Sequence, residues 1–174
     1  MTLRHAVLGL LAEAPGSGYD LLKRFETAMA NVWSATQSQL YGELGKLEKS
    51  GLIEVVSEGP RGRKEYAITG EGRAELRAWL LEPWAPPSPR SETLLRIYFL
   101  GEVAPVQARE YVRRYAESAD ELAGHLASID ESVDWDDSDS AVFGRLVLEW
   151  GKRHAAMERE WADWAVERIR TARG

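Results

Sequence analysis

The chain has 174 residues, of which 44% are hydrophobic and 29% are charged, as in an ordinary folded globular protein. It contains no cysteine, which excludes disulfides and thiolate chemistry and fits a reducing compartment. No stretch reaches the roughly 18 uninterrupted apolar residues of a membrane span, and no signal peptide opens the sequence. We therefore expect a cytoplasmic protein with no membrane segment.

The net charge of −6 is unevenly distributed along the chain. Residues 1–90 contain 11 Lys and Arg against 11 Asp and Glu, whereas residues 91–174 contain 11 against 17. Nucleic acid repels an acidic surface, so only the first half, with a local basic face, is a candidate for binding it. The asymmetry favours two modules with different partners.

Two short amphipathic helices are predicted first, over residues 3–13 and 19–32, with a Pro- and Gly-rich break at 15–18 between them. Their apolar stripes consist of Leu3, Val7, Leu10 and Leu11 in the first helix and of Leu21, Leu22, Phe25 and Met29 in the second. His5 stands alone beside Arg4 on the first helix. We expect a surface or cap residue there, without a functional role.

A third helix is predicted up to Lys49, with Leu40, Leu44 and Leu47 at helical spacing as its buried stripe. Ser34 and Thr36 are both suited to cap its start, and Gly51 is suited to end it. The opposite face carries polar and basic side chains, namely Gln37, Ser38, Tyr41, Lys46 and Lys49.

A β-hairpin is predicted directly after this helix, with strands at 52–57 and 63–68 and a Gly-Pro turn at 58–62. Arg61, Arg63 and Lys64 place three cations on the turn. A helix that ends at glycine and is followed by a basic-tipped hairpin is a winged helix. Such a fold lays the helix in the DNA major groove and the wing beside a phosphate strand.

The polar residues of this segment are predicted to contact DNA in two ways. The side chains of Gln37, Ser38 and Gln39 are suited to base edges, whereas cations on the turn neutralise phosphates. Tyr19 stands at a helix N-terminus, which favours a phosphate, although this tyrosine and Tyr41 could equally pack on their neighbours. The predicted DNA-binding set is Tyr19, Ser34, Thr36, Gln37, Ser38, Gln39, Tyr41, Lys46, Arg61, Arg63 and Lys64. An ordinary helix and hairpin with solvated lysines is the alternative.

Three blocks of the first half resemble the PadR family of bacterial transcriptional regulators. They are GYDLL at 18–22, SQLYGELGKLEKSGLIE at 38–54 and GRKEYAITGEGRAEL at 62–76, in the family's order and spacing. The resemblance implies that Tyr19 faces the DNA backbone. The chain departs from the family at Gly42, where a proline often follows the tyrosine, and glycine there loosens a helix by about 0.5–1 kcal/mol relative to alanine.

A fourth helix is predicted over 69–81, with Leu76, Trp79 and Leu80 buried. The segment 82–90 then holds four of the seven prolines, which favours an extended linker and a domain boundary. Trp84 within it is expected to dock against one of the modules. The predicted domains are a DNA-binding domain at 1–81, the linker at 82–90 and a helical domain at 91–174.

The second half predicts a short, apolar helix over 91–102, covered on more than one side, and two long helices over 105–132 and 141–170. The acid-rich loop between the long helices could be interpreted as a calcium-binding site. Its spacing lacks the glycine and the distal glutamate of an EF-hand, so a plain acidic turn is favoured.

The last helix carries an apolar heptad repeat that we call the seam, formed by Phe143, Val147, Trp150, His154, Met157, Trp161 and Trp164. Two long helices alone cannot cover so wide a stripe, so we expect a second copy to do so. This half resembles the PadR subfamily with a virulence-activator-type C-terminal domain, which implies dimerisation through exchanged helices. The aromatic rings could also line a pocket for a small aromatic effector, since relatives sense phenolics or drugs.

The sequence therefore predicts a mainly α fold with a small β-hairpin wing, comprising an N-terminal winged helix-turn-helix and a C-terminal helical dimerisation domain. We expect a homodimeric transcriptional repressor that binds double-stranded DNA at a palindromic operator. No cofactor and no metal are expected. A winged-helix protein–protein adaptor is the alternative, against which the basic wing argues. An enzyme is disfavoured because the three histidines are far apart and no phosphate loop or metal-ligand spacing appears.

Overall fold

The computed structural model describes residues 2–28, 35–83 and 90–173. Ser34, Trp84 and most of the predicted linker lie outside these residues, as does the side chain of Arg61. The chain divides into two compact units, Met1–Ala85 and Pro86–Gly174. The protein is mostly helical with a small antiparallel sheet, which confirms the predicted fold class.

The first unit contains four α-helices and three strands within the described residues. In chain order they are α1 (Thr2–Glu13), β1 (Gly16–Ser17), α2 (Gly18–Ala28), α3 (Gln37–Lys49), β2 (Ile53–Glu58), β3 (Lys64–Ile68) and α4 (Gly70–Leu80). A 3₁₀ turn at Pro60–Gly62 joins β2 to β3. We call β2, this turn and β3 the wing.

Helix α3 begins and ends where its capping residues predict. Thr36 is the N-cap: its hydroxyl accepts a hydrogen bond from the backbone N–H of Gln39, and its own N–H donates to the Gln39 side-chain oxygen at 2.9 Å. At the other end Gly51 has a φ of 72°, in the left-handed region that favours glycine. The N–H groups of Gly51 and Leu52 then return to the carbonyls of Glu48 and Leu47, both at 3.1 Å, which closes a Schellman motif.

The three-stranded sheet has the order β1-β3-β2, and both pairings are antiparallel. Val56 is an extra residue in β2, because Val55 pairs with Tyr66 while Ser57 pairs with Glu65. The sequence predicted β2 and β3 but not β1, since two residues show no periodicity. The hydrophobic core lies between the helices and the sheet and is formed by Val7, Leu8, Leu10, Leu11, Leu21, Phe25, Leu40, Leu44, Leu47, Leu52, Ile53, Tyr66 and Ile68.

Helix α4 packs differently from its prediction. Leu80 is 63% exposed, whereas the buried position of α4 is Gly72, whose hydrogen points at the backbone of Leu52. The predicted surface or cap position of His5 was also wrong, because the residue is only 6% exposed and its ring stacks on Trp79 at 4.5 Å between centroids. Helices α1 and α4 contact each other although they lie more than 50 residues apart in the chain, and sequence periodicity does not show such a contact.

The second unit contains α5 (Glu92–Tyr98), a 3₁₀ turn at Leu100–Glu102, α6 (Pro105–Ser132) and α7 (Asp139–Arg173). The two long helices pack against each other along their length as a hairpin. The hydroxyl of Ser138 accepts the N–H of Ala141 at 3.3 Å at the start of α7. Helix α5 was predicted to be covered on more than one side, yet Leu94, Leu95, Tyr98 and Phe99 are all exposed.

The contact between α6 and α7 is made largely by small side chains. Ala108, Val112, Ala116, Ala119 and Leu126 are buried on α6, and Leu148, Ala155, Ala162 and Ala165 are buried on α7. Polar pairs flank these residues: Lys152 donates to Asp130 at 2.8 Å, and Arg159 donates to Asp120 at 2.5 Å. The buried stripe of α7 is therefore not the predicted aromatic seam.

Two further properties of the described residues concern possible ligands. No helix among them combines the length and apolar content needed to cross a membrane. No group of three or more His, Asp or Glu side chains within them is arranged to hold a metal ion. In the loop before α7, Asp136 accepts hydrogen bonds from the N–H and hydroxyl of Ser138.

Candidate nucleic-acid interface

The first turn of α3 presents its polar residues to solvent. Thr36, Gln37, Ser38 and Gln39 are all exposed, while Leu40 behind them is fully buried. Gln39 has a structural task that the sequence interpretation did not assign, because its side-chain oxygen accepts the N–H of Thr36 at 2.9 Å. Its side-chain N–H₂ group can still donate hydrogen bonds to partners outside the cap.

The start of α2 is built by a second capping arrangement. The carboxylate of Asp20 accepts hydrogen bonds from the Ser17 N–H at 3.0 Å and from the Ser17 hydroxyl at 2.6 Å. The Ser17 hydroxyl in turn accepts the N–H of Asp20 at 3.3 Å. Tyr19 lies between these two residues and is 67% exposed. The cap therefore fixes the backbone on both sides of Tyr19 and directs its ring outward.

Each described cation of the predicted DNA-binding set is paired with a carboxylate of the same unit. Arg63 donates to Asp20 at 2.8 Å, and Lys64 donates to Glu48 at 2.9 Å. Lys46 pairs with Glu43 at 3.0 Å, one turn earlier on α3. These are partly or largely exposed ion pairs. Such pairs contribute only about 0–1 kcal/mol, so a phosphate can replace the carboxylate at small cost.

Two pKa shifts follow from these pairings. Hydrogen bonds from the Ser17 hydroxyl and N–H, and then from Arg63, lower the pKa of Asp20 to about 2. The hydrogen bond to Glu48 raises the pKa of Lys64 above its usual range. Both groups are therefore fully charged at neutral pH, and both tie the wing to a helix.

The wing, α2 and α3 enclose one depression of about 390 Å³ that we call the wing depression. Its lining residues are Ser17, Gly18, Tyr19, Tyr41, Pro60, Gly62, Arg63, Lys64 and Tyr66. The ring of Tyr41 lies over Gly18, where an added Cβ would come within 2.6 Å of a ring carbon. Four of the predicted residues, Tyr19, Tyr41, Arg63 and Lys64, are thus brought together from three elements.

Other predicted residues lie apart from the wing depression. Thr36 to Gln39 are at the start of α3 and do not line it, and Lys46 is farther along the same helix. The sequence interpretation missed Ser17, Gly18, Asp20 and Glu48. A signal existed for two of them, since Ser followed three residues later by Asp is a capping pattern. Glu48 is recognisable only once the wing is folded against α3.

The predicted seam lies on the solvent side of α7. Trp150 and Trp164 are 62% and 60% exposed, and Phe143, Val147 and Met157 are exposed as well. His154 is half-buried and stacks on Trp150 at 4.9 Å between centroids. Trp161 differs from the others because it is partly covered by α6 through an edge-to-face contact with Tyr115. One long, aromatic face of this unit is therefore without a partner among the described residues.

Two family models match the chain, one in each unit. The Transcriptional regulator PadR-like family matches residues 7–78, and the Virulence activator alpha C-term family matches residues 89–170. The negative transcriptional regulator PadR of Bacillus subtilis is 30% identical over 154 residues, which cover 84% of this chain and 85% of that protein.

The chain belongs to the PadR family of transcriptional regulators. A second match is local: the probable transcriptional regulator Rv1176c of Mycobacterium tuberculosis is 39% identical over 92 residues. That match covers 51% of this chain, and it spans only about half, 49%, of the length of the relative.

Solved structures of the PadR family agree with the fold over nearly the whole chain. The crystal structure of Bacillus subtilis PadR in complex with operator DNA matches with a TM-score of 0.84 at 26% identity, covering 97% of this chain and 99% of that one. The structure of the same protein in complex with p-coumaric acid matches with a TM-score of 0.82 at 26% identity, with the same coverage. The predicted family and fold class are thereby confirmed.

Proposed function

We propose that this PadR-type regulator is a homodimeric, sequence-specific repressor that binds double-stranded DNA at a palindromic operator and responds to a small aromatic effector. The observation that carries the proposal is the grouping of Tyr19, Tyr41, Arg63 and Lys64 around one depression beside the polar start of α3. Support comes from Bacillus subtilis PadR, which has been solved with operator DNA.

The residues divide into two roles in this proposal. Gln37, Ser38 and the amide of Gln39 contact base edges, because an exposed helix start can enter the major groove. Tyr19, Tyr41, Lys46, Arg63 and Lys64 contact phosphates, and the cations exchange their carboxylate partners for phosphate oxygens. Ser34, Thr36 and Arg61 complete the predicted set, although Ser34 and the Arg61 side chain lie outside the described residues.

A second copy of the chain is the proposed partner of the seam. Phe143, Val147, Trp150 and Met157 form an exposed apolar stripe along a 35-residue helix. Each large aromatic buries roughly 150–250 Å², so pairing two such stripes removes a substantial apolar surface from water. In the proposed division of domains, residues 1–81 bind DNA and residues 91–174 hold the two copies together.

A binding role is proposed rather than catalysis, because PadR relatives are transcriptional regulators and the sequence offers no nucleophile–base or metal-ligand pattern. The protein–protein adaptor is the second candidate, but cations held by weak, exchangeable ion pairs at the wing suit phosphates better than a protein surface. A DNA-binding regulator works where the chromosome is, so we place this protein in the cytoplasm.

The decisive experiment is selection of bound fragments from the host genome, followed by titration of the full chain onto the enriched site and onto its scrambled version. We expect the enriched site to bind at least a hundredfold more tightly, and its sequence to be an inverted repeat. The double variant Gln37→Ala/Ser38→Ala should lose most of this difference, while Arg77→Ala, an exposed cation on α4, should leave it unchanged. Equal binding of both DNAs by the wild-type chain would reject sequence-specific recognition.

A further inference from the structure

The contact between Asp20 and Arg63 differs from an ordinary surface ion pair, because the carboxylate is itself held in place. Oδ2 of Asp20 accepts the Ser17 N–H at 3.0 Å, the Ser17 hydroxyl at 2.6 Å and Nη2 of Arg63 at 2.8 Å. Arg24, one turn later on α2, does not compete for this carboxylate, since its guanidinium donates to two backbone carbonyls of the turn before α2, at 2.8 and 2.9 Å. The start of α2 therefore offers Arg63 an anion at a fixed position.

This contact uses only one edge of the Arg63 guanidinium. Among the residues that the structure describes, Nη2 is the guanidinium nitrogen that has a partner, and that partner is Asp20. The side chain is 62% exposed and lines the wing depression together with Tyr19 and Tyr41. A guanidinium carries five N–H donors in a planar fork, so Nε and Nη1 can donate to a phosphate while Nη2 stays with Asp20. Arg63 can thus bind DNA without leaving its carboxylate.

Lys64, the next residue of the wing, is held differently. Its ammonium donates to Glu48 at 2.9 Å and is a compact point charge on a flexible stem. A phosphate that approaches this ammonium competes with Glu48 for the same charge. The two neighbouring cations therefore differ in what their carboxylates do, since Glu48 competes with DNA whereas Asp20 orients a donor toward it.

We propose that Asp20 is a positioning residue, which keeps its contact with Arg63 in the operator complex and orients the guanidinium toward a phosphate. The inference rests on the proposed repressor function and refines the exchange of partners stated there, which then applies to Lys46 and Lys64 but not to Arg63. An arginine that is already oriented loses less rotamer freedom on binding. The gain is largest where the phosphate has a defined position, as when the start of α3 is seated on its operator, and smaller on loosely held DNA. Asp20 therefore adds to the selectivity for the operator.

The sign of one effect separates positioning from exchange. Asp20→Asn keeps the size of the side chain and an oxygen for Ser17, but it removes the charge that holds Arg63. It should weaken binding of the full chain to the genomically enriched site about three- to tenfold and change binding to scrambled DNA by less than about twofold, in fluorescence anisotropy. Exchange predicts stronger binding instead, because a competing carboxylate is removed. Glu26→Gln is the matched control, since it removes the same charge from an exposed position of α2 and should change neither affinity.

A double-mutant cycle with Arg63→Gln tests whether Asp20 acts through Arg63. In the Arg63→Gln background, Asp20→Asn should no longer weaken operator binding. A role of Asp20 confined to capping α2 would give the same loss in both backgrounds. Circular dichroism checks that each variant is folded. Arg63→Lys is a second route that leaves the cap of α2 intact, because it keeps the charge but removes the planar fork, and it should weaken operator binding about as much as Asp20→Asn does.

The possible failures are distinguishable. Operator binding that Asp20→Asn leaves unchanged or strengthens would overturn the positioning role, as would an equal loss in both backgrounds or full operator affinity in Arg63→Lys. In each of these cases a wild-type chain that prefers its operator to scrambled DNA leaves the proposed function standing. Equal binding of both DNAs by the wild-type chain rejects the proposed function and the positioning role with it.

Discussion

Arg63 on the wing donates a hydrogen bond from Nη2 to the Asp20 carboxylate at the start of α2, at 2.8 Å. This ion pair joins two elements that lie 43 residues apart in the chain and both border the wing depression. It holds the wing cation beside Tyr19 before any DNA is present. The arrangement gives Asp20 a role in stability that can be tested by experiment.

The stability role depends on pH. The pKa of Asp20 is lowered from 3.8 to about 2, so its stabilising contribution is present above about pH 4 and is lost as the pH falls towards 2. Asp20→Asn should therefore reduce the free energy of unfolding at pH 7 by no more than about 1 kcal/mol, because the side chain is 36% exposed and solvent screens the pair. The difference from the wild type should shrink between pH 4 and pH 2 in urea titrations. Glu26→Gln, on an exposed position of α2, should show neither effect, and a constant difference across this range would contradict the assignment.

Lys64 should contribute to DNA affinity without contributing to sequence selection. Lys64→Ala should weaken binding to operator and scrambled DNA alike and reduce the slope of log affinity against log salt by about one unit. Glu48→Gln should strengthen binding to both DNAs and increase the slope, because it releases Lys64 from its carboxylate partner. Fluorescence anisotropy at four or more salt concentrations measures both effects. A changed ratio of operator to scrambled affinity with an unchanged slope would show that Lys64 does not contact phosphate.

Gly72 and Gly70 make a matched pair for testing the packing of α4. An added Cβ at Gly72 would lie 2.1 Å from the Leu52 carbonyl oxygen, whereas nothing lies within 4 Å of one at Gly70. Gly72→Ala should cost about 3 kcal/mol of unfolding free energy through overpacking. Gly70→Ala should change it by less than about 0.5 kcal/mol. Similar thermal midpoints for the two variants would mean that α4 does not sit against Leu52.

Substitution of Gly51 by alanine should lower the free energy of unfolding, whereas substitution of Gly42 by alanine should raise it. Gly51→Ala forces a side chain into the left-handed region at a φ of 72° and should cost about 1 to 2 kcal/mol. Gly42 is inside α3 with open space around it, so Gly42→Ala should stabilise the protein by about 0.5–1 kcal/mol. Chemical denaturation measures both values. If Gly51→Ala stabilised the protein, Gly51 would not be the residue that ends α3.

The exposed seam can be tested with residues that are not part of the α6–α7 core. Phe143→Glu/Trp150→Glu places two charges on the outer face of α7 and should convert the dimer to folded monomers with weak operator binding. Phe143→Leu/Trp150→Phe keeps the face apolar and should remain dimeric. Sedimentation equilibrium with circular dichroism separates dissociation from unfolding. A charged double variant that stays dimeric would place the interface elsewhere, for example on the exposed residues of α5.

Local features of the fold could be predicted because their causes are local. Thr36 and Gly51 bound α3 as expected, since capping depends on residues within a few positions. The family and the fold class followed from motif blocks that keep their order along the sequence. The strand β1 was missed because two residues give no pattern, and its pairing with Tyr66 is a tertiary event.

The electrostatic partners of the candidate site could not be predicted, because each lies far from its cation in sequence. Asp20 is 43 residues from Arg63, and Glu48 is 16 residues from Lys64. Periodicity also placed Trp161 and Trp150 in one seam, although only Trp161 is covered by α6. The heptad repeat correctly marks one helical face, but it does not tell which of two apolar faces the neighbouring helix will take. Alanines decided that choice, since they let α6 approach closely.

The end of α3 and the start of α4 are joined by backbone hydrogen bonds and close packing. Thr69 donates its N–H to the Leu52 carbonyl at 3.1 Å and its hydroxyl to the Gly51 carbonyl at 2.7 Å, and Gly72 closes against the same Leu52. These contacts tie the end of α3 to the start of α4, so we expect the two helices to move together. Under the proposed function, we expect a signal that reaches the first unit to shift it as a rigid body. Release from an operator is then expected to come from a changed distance between two such units, with every side chain that touches a base keeping its local geometry.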